Sequence, residues 1–273
     1  MRLIKKKILR KYLILRGKLA SSFQKNPLQG FDKHIVTLYH DFEGSYAIPG
    51  MTERGLSAAS KILEIQKKYH IKTTFCTVAK LAEENPALMK KIISLGHEVA
   101  SHSYEHKVLT RLGNLEQKQD IQQAKTAFQS LGVESVGLRS PQSSWDYGIM
   151  KELLLSGACW SAENGDESQP FVVAKQGNKK LWRFPIREDD WQYEESGQTP
   201  GQMLKRWKDT VNKGIARNDY TAIGFHPWVE SPAERLAVFE EFLAWLSGLD
   251  DVVVLPFGEV KQLIENSQSN KNS

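Results

Sequence analysis

Cysteine is scarce: the 273 residues contain two, Cys76 and Cys159, both in apolar contexts. Two are too few for a disulfide framework or a cysteine-based zinc centre, and they point to a reducing compartment. Long apolar runs are missing as well. No segment approaches the ~20 residues a membrane-spanning helix needs, and the longest apolar run near the N-terminus, Tyr12 to Leu15, falls short of a secretory core. The middle of the sequence has no Pro/Gly/Ser-rich linker and no obvious repeat, so one large domain is expected. Acidic residues are absent from positions 1–31, which carry nine Lys/Arg; the other 28 basic residues face 32 acidic ones. The net charge of +5 therefore belongs to an arm, and this confinement argues against nucleic acid as a partner.

In the arm, Ile8, Tyr12, Leu15 and Leu19 recur at helical spacing. A basic amphipathic helix over residues 1–25 can rest on an anionic membrane surface, here the inner face for a cytoplasmic protein, or pack on its own domain. The final stretch, 266–273, has almost nothing to bury and is expected to be disordered.

From residue 35 to about 265, strand-like runs alternate with helical patterns. The strand candidates are IVTLY, TTFCTV, HEVAS, SVGLR, ACWSA, LWRFPI, TAIGFH and VVVLP, rich in β-branched and aromatic residues. Apolar stripes at helical spacing lie between several of them: Leu56, Ala59, Ile62, Ile65 and Tyr69; Leu88, Ile92 and Leu95; Leu115, Ile121, Ala124 and Phe128. Repeated strand and helix units predict a parallel α/β sheet, closed or open, with helices outside. Chemistry then gathers at the carboxyl ends of the strands. Polar clusters sit at four such ends: Asp41 and Glu43 in HDFEG, then SHSYEH, RSP and FHPW.

His102 and His106 are four apart, which on a helical turn brings both imidazoles to one face. Two imidazoles can hold Zn²⁺ at about 2.0–2.1 Å, with Glu43 or Asp41 as a third ligand. Read literally, HSYEH also matches an inverted zinc peptidase signature with Glu105 activating water, but that signature needs a helix and His102 follows a strand-like run.

These motifs occur together in KTTFCTVAKLAEENPALMKKIISLGHEVASHSYEHKVLTRL, followed by LRSP, the DDW of Asp189, Asp190 and Trp191, and IGFHP. In that order they resemble the polysaccharide deacetylases with the NodB-homology domain. The resemblance covers 35 to about 265 and implies a distorted (β/α) barrel of about seven parallel strands in one domain, 32–265, after the 1–31 arm. It also implies metal-dependent hydrolysis of an N-acetyl or related acyl group on a carbohydrate. HDFEG looks like an Asp-x-Glu variant of the family's first motif. By that resemblance Asp41 would be the base and Glu43, His102 and His106 the ligands of a divalent metal, most simply Zn²⁺.

His226 is then the candidate acid, because an amine leaves poorly unless protonated. Arg139 would hold Asp41 charged and oriented, and Asp189 or Asp190 would hold His226 protonated. Pro141, Trp191 and Trp228 are candidates for contact with the sugar, and Trp145 lies near enough in sequence to join them. His40 has only a weak claim on the site, and His97 reads as structural. Two other readings remain at this point: a metal-free amidohydrolase acting on a small cyclic amide, and a catalytically silent sugar-binding protein.

Overall fold

The computed structural model describes residues 26–134 and 137–270. Ten strands form one sheet: β1 (His34–Phe42), β2 (Thr74–Thr77), β3 (Glu98–Ser101), β4 (Gly137–Arg139), β5 (Trp160–Asn164), β6 (Phe171–Gln176), β7 (Lys179–Ile186), β8 (Glu188–Asp189), β9 (Thr221–Phe225) and β10 (Val252–Val254). Their order is β6-β7-β5-β4-β3-β2-β1-β9-β8, with β10 beside β1. Every ladder is parallel except β6 with β7. Strands β1 to β5 with β7 and β9 are the seven parallel staves of the expected barrel. Among the described residues no ladder joins β7 to β8 or β9, and this opening is the distortion.

All eight strand candidates form strands, whereas β6 and β8 were not foreseen. β6 is a half-exposed antiparallel addition to β7, and β8 is too short to show a period.

Strand β1 shows how the barrel sorts its side chains. Successive residues of a strand point to opposite faces. Ile35 and Tyr39 join an inner cluster with Trp160, Trp182 and Phe184, while Val36, Leu38 and Phe42 pack with the outer helices. The helices are α1 (Thr52–Lys68), α2 (Ala79–Glu84), α3 (Pro86–Ser94), α4 (Asn114–Ser130), α5 (Tyr147–Ser156), α6 (Gln192–Glu195), α7 (Pro200–Arg217), α8 (Ala233–Ser247) and α9 (Phe257–Asn270). Stripe residues Ala59, Ile62, Ile92, Ala124 and Phe128 are buried against the sheet. Leu115 is not: it is 68% exposed. Six residues before Ile121 it points about 240° around the helix at 100° per residue, away from the buried face.

Helix ends follow their local chemistry. α7 starts at a Thr199/Gln202 capping box with Pro200 in its first turn, and stops where Asn218 takes a left-handed conformation. α9 contributes Phe257, Val260 and Ile264 to the inner cluster. It runs to Asn270, into the stretch expected to be disordered; Glu265 accepts from Trp182 Nε1 and Gln268 from Lys180 Nζ, both at 3.1 Å, tying this polar end to β7. At the other end Leu28 and Phe31, counted with the arm, pack on the inner cluster and so belong to the body. The proposed amphipathic helix over 1–25 lies outside the described residues.

Candidate active site

The strand register brings the polar ends to one rim. His40 pairs with Phe225, Asp41 with Cys76, Ser101 with Leu138 and Arg139 with Ala162. The residues that follow these positions therefore meet at the carboxyl end of the barrel. Period two explains why Phe42 can separate the acids: Asp41 and Glu43 turn to the site while Phe42 sits in the outer core between them.

Glu43 is buried, and its Oε2 lies 3.2 Å from His102 Nε2 and 2.9 Å from His106 Nε2. Its Oε1 accepts a hydrogen bond from Trp228 Nε1 at 3.2 Å. His102 Nδ1 donates to the Arg139 carbonyl at 2.8 Å, which fixes the ring and turns Nε2 toward Glu43. One atom from each of Glu43, His102 and His106 lies within 4.8 Å of the others, a donor set of two imidazoles and a carboxylate that suits a divalent cation. Asp41 Oδ1 beside them is buried, 3.7 Å from His102 Nδ1, with no hydrogen-bond partner among the described residues.

The charges of this set hold one another. Burial alone would push the Glu43 carboxyl up, but hydrogen bonds from His102 and His106 and the charge of His226 take it well below the usual carboxylate range. Burial lowers His102, yet Asp41 and Glu43 outweigh it and raise the imidazole above its ordinary value. A bound cation would take the place of that proton.

The two histidines do not share a helical turn. HSYEH is an irregular loop in which Ser103 and His106 have positive φ, 66° and 58°. Such backbone is uncommon outside glycine. Here it is held by Ala79 N and Lys80 N donating to the Ser103 and Tyr104 carbonyls, and by Tyr104 N donating to Asp120 Oδ1. Glu105 pairs with Lys80 and Lys107 at the surface, at 2.7 and 2.8 Å, so the peptidase reading loses both its helix and its base.

Arg139 is buried and spreads across three acceptors: Asp41 Oδ2 at 3.3 Å, Glu163 Oε2 at 3.4 Å and Asn164 Oδ1 at 3.1 Å. Burial disfavours its charge, but Tyr39, Asp41 and Glu163 outweigh that and drive its pKa above the ordinary arginine value. Glu163 also accepts from Ser140 N, Ser140 Oγ and Ser143 Oγ, at 3.2, 2.5 and 2.8 Å. Pro141 is buried in that same turn. The sequence reading missed Glu163 and Asn164, although both stand at the end of β5, where a polar pair after WSA was the available signal.

Opposite the donor set, His226 N donates to Asp190 Oδ2 at 2.7 Å and His226 Nδ1 to Asp190 Oδ1 at 2.5 Å. Asp190, not Asp189, is thus the partner; Asp189 accepts from Trp191 N. Burial works against a charged ring, but the charge and hydrogen bond of Asp190, with help from Glu43 and Asp41, carry His226 up to about 10. Its Nε2 lies 3.8 Å from Asp41 Oδ2 and 4.0 Å from Glu43 Oε1. Trp191 and Trp228 pack edge to face and flank His226 at 5.7 and 6.2 Å. Trp145 is elsewhere, in a third cluster beneath Arg183. His40 faces the helices, 2.7 Å from Gln66 Nε2 and stacked on Phe75. His97 accepts from Thr73 N.

Two acids, two histidines, an arginine and a histidine–aspartate pair thus stand at one rim, an arrangement to set beside known proteins. Residues 50–157 match the polysaccharide deacetylase family model. The resemblance carried by the motifs is therefore borne out. A peptidoglycan-N-acetylglucosamine deacetylase, PgdA, of Listeria monocytogenes is 26% identical over 136 residues, 50% of this chain and 27% of that protein. The chain thus spans about a quarter of that relative's length. A putative polysaccharide deacetylase from Mycobacterium smegmatis has a structure matching at a TM-score of 0.79 and 22% identity, over 89% of this chain and 93% of that one. Puue allantoinase gives the same TM-score at 15% identity, over 89% of this chain and 94% of that one. At these identities the structures establish the polysaccharide deacetylase barrel as a fold.

Proposed function

We propose that this protein is a metal-dependent hydrolase that removes an N-acetyl or related acyl group from a sugar. The observation that carries the reading is the face-to-face arrangement of two units at one rim. One is the Glu43/His102/His106 donor set with Asp41, and the other is His226 held by Asp190. The Listeria relative, named for deacetylating N-acetylglucosamine of peptidoglycan, supports the substrate class.

Glu43, His102 and His106 hold the cation, with zinc the simplest choice for two imidazoles and a carboxylate. When bound, such an ion polarises the amide carbonyl and makes water acidic enough to attack near neutral pH. Asp41, oriented by Arg139, takes the proton from the attacking water. His226 is protonated at neutral pH and gives its proton to the departing amine, while Asp190 keeps the ring charged and turned so that Nε2 faces the site. Nε2 and Asp41 Oδ2 are 3.8 Å apart, so base and acid can touch a single reacting centre. Trp191, half-buried beside His226, offers flat apolar surface to the sugar; Trp228, itself buried, packs edge to face against it, and Pro141 is buried in the turn after β4.

The arm over 1–25 is proposed to bring this activity to an anionic membrane surface, with a glycan precursor on the cytoplasmic side as substrate. No described helix is long and apolar enough to cross a membrane. Deleting residues 1–25 should release the protein from anionic vesicles without loss of hydrolysis; unchanged vesicle binding would refute that part.

Elemental analysis tests the donor set. The native protein should carry about one divalent ion per chain, and a His102→Ala, His106→Ala variant should carry none. Asp41→Asn should keep the ion and lose acetate release from N-acetylated oligosaccharides by at least about 10²-fold. An Asp41→Asn variant as active as the native protein would refute the assignment of the base.

A further inference from the structure

The turn after His226 carries a third acid into the interior. The amides of Val229 and Glu230 donate to the His226 carbonyl at 2.8 and 3.0 Å, folding the chain back so that Glu230 is completely buried. Among the described residues, neither Glu230 carboxyl oxygen meets a donor from another group. The group it contacts is the Asp190 carboxylate, another acceptor.

Two buried carboxyl groups in contact attract only when a proton lies between them. The donors decide which acid keeps it. Asp190 receives two N–H bonds from His226, so its negative charge is stabilised; Glu230 receives none. Burial and the Asp190 charge both drive the Glu230 carboxyl well above its ordinary range. The cations facing the pair, Arg235 and His226, oppose that shift without reversing it. Arg235 is itself engaged by Glu194 at 2.7 Å and the Val229 carbonyl at 2.9 Å, and lies over the Tyr193 ring. The Tyr193 hydroxyl is also buried and unpartnered, so it adds no compensating charge.

We infer that Glu230 is a positioning residue: held as a neutral carboxylic acid, it donates a hydrogen bond to Asp190 and fixes that carboxylate against His226. The donated bond occupies a third acceptor site on Asp190, beyond the two that His226 uses, and so stops the carboxylate from rotating away. It also stabilises the Asp190 charge, so that the shared proton stays on His226 for transfer to the amine. Only the last point rests on the deacetylase reading.

The test uses the full chain loaded with zinc. An infrared difference spectrum between native protein and Glu230→Gln at neutral pH should show the carbonyl stretch of a protonated carboxylic acid, present in the native protein and lost in the variant. No such band overturns the inference, whether or not the protein is a deacetylase. Kinetics supply the second readout. Gln keeps a donor for Asp190 and should retain kcat within about twofold, whereas Glu230→Leu should lose about tenfold in kcat at unchanged KM. A Gln variant that falls as far as the Leu variant overturns the donor role. If the Leu variant does not fold, the infrared band and the Gln variant still decide. If no form releases acetate, the deacetylase reading fails while the band alone settles the proton on Glu230.

Discussion

Replacing Asp190 by Asn isolates what holds His226 charged. The amide keeps an oxygen that can accept from His226 Nδ1, now 2.5 Å from Asp190 Oδ1, but it removes the negative charge. Asp190 is the largest of the influences that lift His226 to about 10, ahead of Glu43 and Asp41, while burial pulls the other way. The ordinary imidazole value is 6.5, so the acid is held in its charged form well past neutral pH. A single buried opposite charge shifts a pKa by about 1–3, so Asp190→Asn should lower His226 by about 2. A divalent ion on Glu43 would cancel that acid's contribution and leave the larger one from Asp190. The assay is acetate release across about pH 6 to pH 10, where the alkaline limb of kcat reports the acid. That limb should move down by about 2 pH units in the variant, so that kcat near pH 10 falls by about 50-fold while kcat near pH 7 changes little. An unmoved limb with undiminished kcat would refute the claim that Asp190 maintains the acid.

The same charge enters stability with a definite sign. His226 has a higher pKa folded than unfolded, so its contribution is complete below about pH 6.5 and fades as pH rises toward about 10. Thermal melts of Asp190→Asn should show less loss of Tm across that window than the native protein; equal loss would count against it. Trp228→Phe removes the indole donor to Glu43 Oε1, and should weaken metal affinity by about 10–100-fold with the fold intact, read by competition with a chelator. Glu105→Gln should leave acetate release within about twofold, since Glu105 serves only surface lysines; a large loss would revive it as a base. A methyl group on Gly137 would enter the Trp160 ring of the neighbouring strand, so Gly137→Ala should cost about 1–3 kcal/mol or more, measured by denaturant unfolding.

The strands were legible because their β-branched and aromatic runs are short and bounded, and the clustering of the candidate site was legible because acids and histidines interrupt those runs at their carboxyl ends. Asp41 and Glu43 could be paired from sequence, since period two places both on one side of Phe42. His102 and His106 were brought together correctly but through the wrong geometry. Spacing of four suggests a helix, and only the positive φ of Ser103 and His106, stabilised by α2 and Asp120, shows the loop. Leu115 misled because the first turn of α4 projects beyond the buried stripe. Glu163 and Glu230 escaped notice for a different reason. Their partners, Arg139 with Ser140 for one and Asp190 for the other, lie 20 or more residues away, and local patterning carries no sign of such contacts. Asp190 could be separated from Asp189 only by the structure, where β8 pairs with β9 and Asp190 N donates to the Gly224 carbonyl.

Acetate release from N-acetylated oligosaccharides, measured before chelation, after it, and after zinc is returned, tests the central claim most directly. Release that vanishes with the chelator and returns with zinc is the predicted result. Release unaffected by chelation, or none from any N-acetylated sugar when the metal is present, would contradict a metal-dependent deacetylase built on Glu43, His102 and His106.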